Sequence, residues 1–203
     1  MNLRAVFSKF MLICVCALAL GGCGVNAIPT LEEQAKAQWA QVLNQYQRRA
    51  DLIPNLVATV KGAADFERST LEAVVNARAK VAQMQLPADI LTNPAAMQQF
   101  QENQGALTSA LSRLLVVVEQ YPDLKANQNF VTLQAQLEGT ENRIAVARKD
   151  FIAAVQAYNT EIKTIPGRWW AALLYPEAKE MAQFQADEGA AQAPKVDFGT
   201  TTQ

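Results

Sequence analysis

Five charged residues fall in or beside apolar helical faces, Glu67, Arg78, Glu138, Glu141 and Arg148, and they are the first candidates for chemistry in this chain. An ionised group on a packed face needs a partner, because an unpaired buried charge costs far more than a lost contact. Converging carboxylates could hold a divalent ion or activate water for hydrolysis. Interleaved with arginines, they could instead form an ion-pair layer that fixes helix register, and this is the expected arrangement. The 203 residues include no histidine. That removes Ser-His-Asp and Cys-His catalysis, histidine zinc sites and the Glu-x-x-His ligands of di-iron bundles. Carboxylate-only and Ser-Lys arrangements stay formally open. No catalytic residue, metal or cofactor is assigned.

The three cysteines, Cys14, Cys16 and Cys23, all lie near the amino terminus, so no disulfide framework supports the body. Arg4 and Lys9 precede an uninterrupted apolar run from Phe10 to Leu20, and Gly21-Gly22-Cys23 follows, which reads as a secretory leader. The run is too short to span a bilayer. Cys23 after two glycines resembles the lipobox of bacterial lipoproteins, which implies lipid attachment at Cys23 and a body on the outer side of the inner membrane. An uncleaved anchor from Phe10 to Ile28 is the alternative. Gly24 after the lipidated residue leans toward outer-membrane export in a two-membrane host. Net charge is −1, which gives no basic field for nucleic acid.

Long helices must position the charged residues. Thr30 and Glu33 have the form of a capping box, and from Ala50 a seam runs Ile53, Val57, Val60, Ala64, Glu67, Leu71, Val74, Arg78, Val81. The spacing predicts one helix from Thr30 to about Met84, on the order of 80 Å long, kinked rather than broken at Pro54. Asn93-Pro94 opens a second helix, ending near Gln120, with Phe100, Gln104, Leu107, Leu111, Leu114, Val118 and Tyr121 inward. A third runs from about Asn127 to Pro166-Gly167 with Phe130, Leu133, Leu137, Ile144, Phe151, Val155, Tyr158, Ile162 and Ile165 inward, and Gly139 marks either a close backbone approach or tolerated weakness. Short turns make neighbours antiparallel, so the first and third helices should be parallel. That register sets Arg78 level with Arg148, and Glu67 level with Glu138 and near Glu141.

Two blocks carry a family resemblance. Tyr46-Gln47-Arg48-Arg49-Ala50-Asp51-Leu52-Ile53-Pro54-Asn55-Leu56-Val57, continuing to Val60-Lys61-Gly62 and Glu67, resembles the amino-terminal signature of the LemA family. Tyr121-Pro122-Asp123-Leu124-Lys125-Ala126-Asn127 and the stretch from Leu133 to Arg148 are similar to its second signature, with Lys195-Val196-Asp197-Phe198 near the end. The resemblance implies an elongated helical bundle attached to the bacterial envelope and brings no agreed biochemical activity.

After the third helix, Trp169, Trp170 and Tyr175 crowd into one short segment. Such clusters mark partner or bilayer contact, but the expectation is that the segment folds over one end of the bundle. Pro176 to Asp187 reads as a short helix. The expected organisation is an all-α, antiparallel up-down bundle of three to four long helices: a signal peptide over 1–22, a lipidated tether over 23–30, the bundle over 31–187 and a flexible tail over 188–203. The expected role is a non-enzymatic envelope scaffold held to the membrane through Cys23, with an unidentified envelope partner. A carboxylate- or divalent-ion-dependent hydrolase using Glu67, Glu138 and Glu141, and a self-assembling homo-oligomer, are the alternatives.

Overall fold

The computed structural model describes residues 24–62 and 67–184. The leader, Cys23 and everything beyond Phe184 lie outside them. Regular structure among the described residues is helical: α1 (Ala27–Lys61), α2 (Arg68–Gln83), a 3-10 turn (Ile90–Thr92), α3 (Pro94–Val118), the short α4 (Pro122–Lys125), α5 (Gln128–Lys163) and α6 (Gly167–Leu174).

The start of α1 lies upstream of the expected capping box. Asn26 is the N-cap, and Thr30 sits inside the helix with its Oγ1 donating to the Asn26 carbonyl at 2.7 Å. Glu33 accepts from Lys36 instead of reaching back to Thr30. Burial of Ile28 draws the helix upstream, and Pro29 falls in the first turn, where an N–H would have no helical acceptor. Ala27 to Thr30 are therefore helix rather than tether.

α1 continues through Pro54, as the seam resuming in phase implied. Proline has no N–H to give the Ala50 carbonyl four residues back. Arg78 of α2 supplies the missing donor, its Nε lying 3.1 Å from the Ala50 oxygen.

That same bond corrects the single long helix. In a continuous helix Ala50 and Arg78 would be roughly 42 Å apart, so the chain has turned back after Gly62. Continuing straight would have placed Glu67 on the packed seam. The reversal leaves Glu67 exposed as the N-cap of α2 and lets Leu71 and Val74 bury against Ile53, Leu56 and Val60. A hairpin within the first 84 residues thus supplies its own partner.

Four helices alternate in direction. Phe100 of α3 packs edge-to-face against both Trp39 and Tyr46, with ring centroids 5.1 and 5.3 Å apart, while Leu107 to Val118 join the far half of α1, so α3 runs parallel to α1. Glu141 meets Arg49 and Phe151 meets Trp39, so α5 runs antiparallel to α1. The expected parallel arrangement of first and last long helices is overturned, because the extra reversal at Gly62 inverts everything after it. α1 pairs chiefly with α5, and α2 with α3. Asn93 caps α3 as expected, its Oδ1 accepting from Ala96 N at 3.2 Å with Pro94 in the first turn.

The core has two clusters. The half near the start of α1 is aromatic, with Trp39, Tyr46, Phe100, Phe151, Tyr158 and Phe184; the far half is mostly aliphatic, from Ile53 and Leu56 to Leu114 and Leu137. Beyond α6 the chain forms no helix over 175–184, contrary to the expected short helix. Instead it runs as a strap. Asn159 brackets Met181, donating to its carbonyl and accepting from its N–H at 2.9 Å each, and Ala182 N donates to the Leu91 carbonyl at 2.6 Å. These bonds seat Met181 and Phe184 in the aromatic cluster.

Candidate functional site

Between the two clusters sits a buried charge. Arg49 is 1% exposed and occupies the α1 stripe Trp39, Val42, Tyr46, Arg49, Ile53, Leu56, Val60, whose steps alternate three and four. Its Nη1 donates to Thr108 Oγ1 at 2.7 Å and to Glu141 Oε1 at 2.8 Å; its Nη2 donates to Gln104 Oε1 at 2.6 Å and to the Gln104 carbonyl at 3.3 Å. The guanidinium also lies 5.0 Å from the Tyr46 ring centroid. Only Nε finds no acceptor among the described residues. One side chain from α1 thereby ties α3 and α5 at a fixed level.

A cleft of about 390 Å³ opens over this layer, lined by Tyr46, Arg49, Gln104, Thr108, Glu141 and Arg148 among others. Arg148 lies with its guanidinium 4.6 Å from the Phe184 ring centroid. Burial raises the Tyr46 hydroxyl above its ordinary pKa, and Arg148 and Arg49 oppose that rise by favouring the phenolate. With two guanidinium groups against one carboxylate, the cleft suits a polar or anionic group better than a cation.

The five expected layer residues do not form one layer. Glu141 and Arg148 share the cleft. Glu138 is exposed on α5 and accepts from Gln134 Nε2 at 3.0 Å, one helical turn away on its own helix. Arg78 serves the Ala50 carbonyl, and Glu67 lies at the far turn, accepting from Ser69 Oγ at 2.5 Å. Glu67 follows the end of α1, twelve residues and roughly 18 Å along from Arg49. The three carboxylates of the hydrolase alternative are therefore not brought together, and among the described residues no group of three metal-binding side chains forms. Sequence reading missed Arg49, the centre of the real layer, because the apolar stripe Trp39, Val42, Leu43, Tyr46 also continues by a step of four onto Ala50, which is itself buried and passes over the arginine. Extending the Trp39-Val42-Tyr46 stripe by its own period lands on Arg49.

The second feature is the end of the bundle where α1 begins. Gly167 opens α6 in close contact with α5: a methyl group there would lie 2.1 Å from the Glu161 carbonyl oxygen. From that pivot Trp170, Ala171 and Tyr175 pack onto the aromatic cluster, which covers the end as expected, while Trp169 and Leu173 point outward. Of the expected patch, Trp169 alone is strongly exposed. No helix among the described residues is long and apolar enough to cross a membrane. Cys23 lies just outside the described residues, one position before Gly24.

Comparison with known proteins places this architecture. The profile of the LemA family matches residues 38–198. Magnetosome proteins MamQ 1 and MamQ 2 of Paramagnetospirillum magneticum are each 26% identical over 190 residues, covering 84% of this chain and 68% of theirs. Magnetosome protein MamQ of Magnetospirillum gryphiswaldense is 27% identical over 157 residues, covering 70% of this chain and 58% of its own.

Proposed function

This chain belongs to the LemA family, and we propose that it is a membrane-associated envelope protein, lipid-anchored at Cys23, whose bundle serves as a non-enzymatic scaffold for other envelope proteins. The observation that carries this reading is where the anchor meets the fold. Gly24 lies against Pro166 and Trp170 at the end closed by α6, and α1 leads away from that end for 35 residues, about 50 Å, so an anchor at the adjacent Cys23 would hold the bundle by that end. A rod held at one end presents its length to partners. Its relatedness to magnetosome proteins is consistent with association with a membrane.

The scaffold role draws on how the interior polar groups are spent. Arg49, Glu141, Gln104 and Thr108 bond to one another, which suits fixing helix register better than turning over a substrate. Mass spectrometry of the intact protein extracted from membranes, beside Cys23→Ser, tests the anchor. A chain starting at Cys23 with attached lipid, and a retained leader in the variant, is the expected result; an unlipidated chain still carrying its leader overturns lipidation. Crosslinking in the envelope would then identify the proteins the rod holds, and recovery of no protein in repeated trials would count against a scaffold.

A further inference from the structure

α6 is apolar on two sides. Trp170 and Ala171 face the core, while Trp169 and Leu173, one turn apart on the opposite side, are 61% and 74% exposed, and Ile165 in the preceding turn is 65% exposed. A surface helix ordinarily sets an apolar inner face against a polar outer one, so a second apolar face calls for a second apolar neighbour. The only charge within α6 is Arg168, which is exposed.

The route of the chain identifies that neighbour. A methyl group on Gly24 would lie 3.5 Å from Trp170 Nε1 and 3.6 Å from Pro166 Cγ, so the backbone passes directly against the segment that bears the exposed face. One residue further back is Cys23, and behind it the apolar run from Phe10 to Leu20. Whatever bilayer holds that segment is held within a few residues of α6, at high effective concentration. We infer that the outward face of α6, with Trp169 and Leu173, rests in the headgroup–acyl boundary of the bilayer that carries the amino-terminal segment. The inference builds on the membrane-anchored reading above and names its second contact.

The chemistry of the face fits a bilayer. Tryptophan favours the interface, with an apolar ring body and a polar N–H. Leu173 adds apolar area to insert, and Arg168 can meet phosphate headgroups. A tether alone would leave the rod free to swivel. Tether and α6 together fix its angle to the membrane.

The test uses the full chain reconstituted into vesicles of phosphatidylethanolamine and phosphatidylglycerol containing phospholipid brominated on its acyl chains. Tryptophan emission should be quenched by the shallow bromines, and Trp169→Gln should remove most of that quenching without lowering the melting temperature, since the side chain is exposed. Leu173→Gln should weaken it. Trp39, buried in the core, and Trp170, packed against it, supply the background that remains in the variant. Flotation of the vesicles separates the two readings. A chain that floats but shows no Trp169-dependent quenching overturns the bilayer contact and leaves the anchor intact; a chain that does not float removes both. Quenching absent, together with a dimer that Trp169→Gln converts to monomer in light scattering, would reassign the face to contact between copies.

Discussion

A guanidinium that is 1% exposed in a helical core is tolerable here because both Nη groups are occupied, and the partners of Arg49 are unequal. Glu141 supplies the compensating charge from a partly exposed position, while Gln104 and Thr108 supply neutral acceptors. Glu141→Gln should therefore cost about 1–3 kcal/mol in urea unfolding. Magnesium or calcium should not alter that loss, because Glu141 is spent on an arginine; a stability gain from either ion in the parent that vanishes in the variant would restore the cation reading. Arg49→Ala, which leaves its partners stranded, should cost about 3–5 kcal/mol. Tyr46 beside this layer gives a pH signature. Burial raises its pKa above that of an ordinary tyrosine, so the folded state favours the neutral phenol, and this contribution is complete below the unfolded pKa and lost as pH rises through the folded one. Stability should fall in the alkaline range, and Tyr46→Phe should flatten that fall. Some slope should survive, because burial also raises Tyr158. Alkaline urea titrations of parent and variant would reveal it.

At the scale of the element, a proline inside α1 and an arginine on α2 answer one another across the hairpin. Pro54 frees the Ala50 carbonyl and Arg78 occupies it. Arg78→Ala should cost about 1–2 kcal/mol in the parent. In a Pro54→Ala background it should cost much less, because the new N–H reclaims that carbonyl; equal costs in both backgrounds would show that Arg78 acts by other contacts. Two glycines give opposite results for the same substitution. Gly139 has nothing within 4 Å of where a methyl would sit, which leaves only tolerated weakness, so Gly139→Ala should stabilise by about 0.5–1 kcal/mol. Gly167→Ala drives a methyl onto the Glu161 carbonyl and should lower the melting temperature, because α6 must lift. Much of this level was legible in sequence. The inward residues of α3 from Phe100 to Val118, those of α5 from Phe130 to Tyr158 and the Asn93 cap follow from periodicity and cap chemistry alone, whereas Ile165, expected inward, is 65% exposed because α5 ends at Lys163. The hairpin was hidden because its seam stays in phase across the turn: Val60, Leu71 and Val74 satisfy one helix or two equally well, and only tertiary contact distinguishes them. With the chain folded back after Gly62, α2 lies beside α1 and α3 instead of prolonging α1, so its level against α5 shifts although the two still run parallel, which is why Glu67 and Arg78 meet other neighbours than the expected ones.

The whole molecule is closed by its strap. α2 is less than half as long as α1, so the aromatic half of the bundle lacks part of its fourth wall, and residues 84–93 together with 175–184 fill the place. Phe184 lies 6.1 Å from Trp39 and 5.5 Å from Phe151, centroid to centroid, beneath the Arg148 guanidinium. The strap thus joins α1, α5 and the α2–α3 connection, and its two anchors, Met181 and Phe184, are nearly fully buried. Each should contribute about 1.5–3 kcal/mol through burial. A chain ended after Tyr175 should therefore be destabilised by about 3–6 kcal/mol relative to one ended after Phe184. Trp39, stripped of its Phe184 neighbour, should shift its emission to the red in the shorter chain, while the far aliphatic cluster keeps its hydrogen-exchange protection. If both halves lost protection together, the Arg49 layer would couple the two clusters tightly enough to make the rod a single cooperative unit. If only the aromatic half loosened, the end closed by α6 would be separately adjustable, with the strap as the element that sets it.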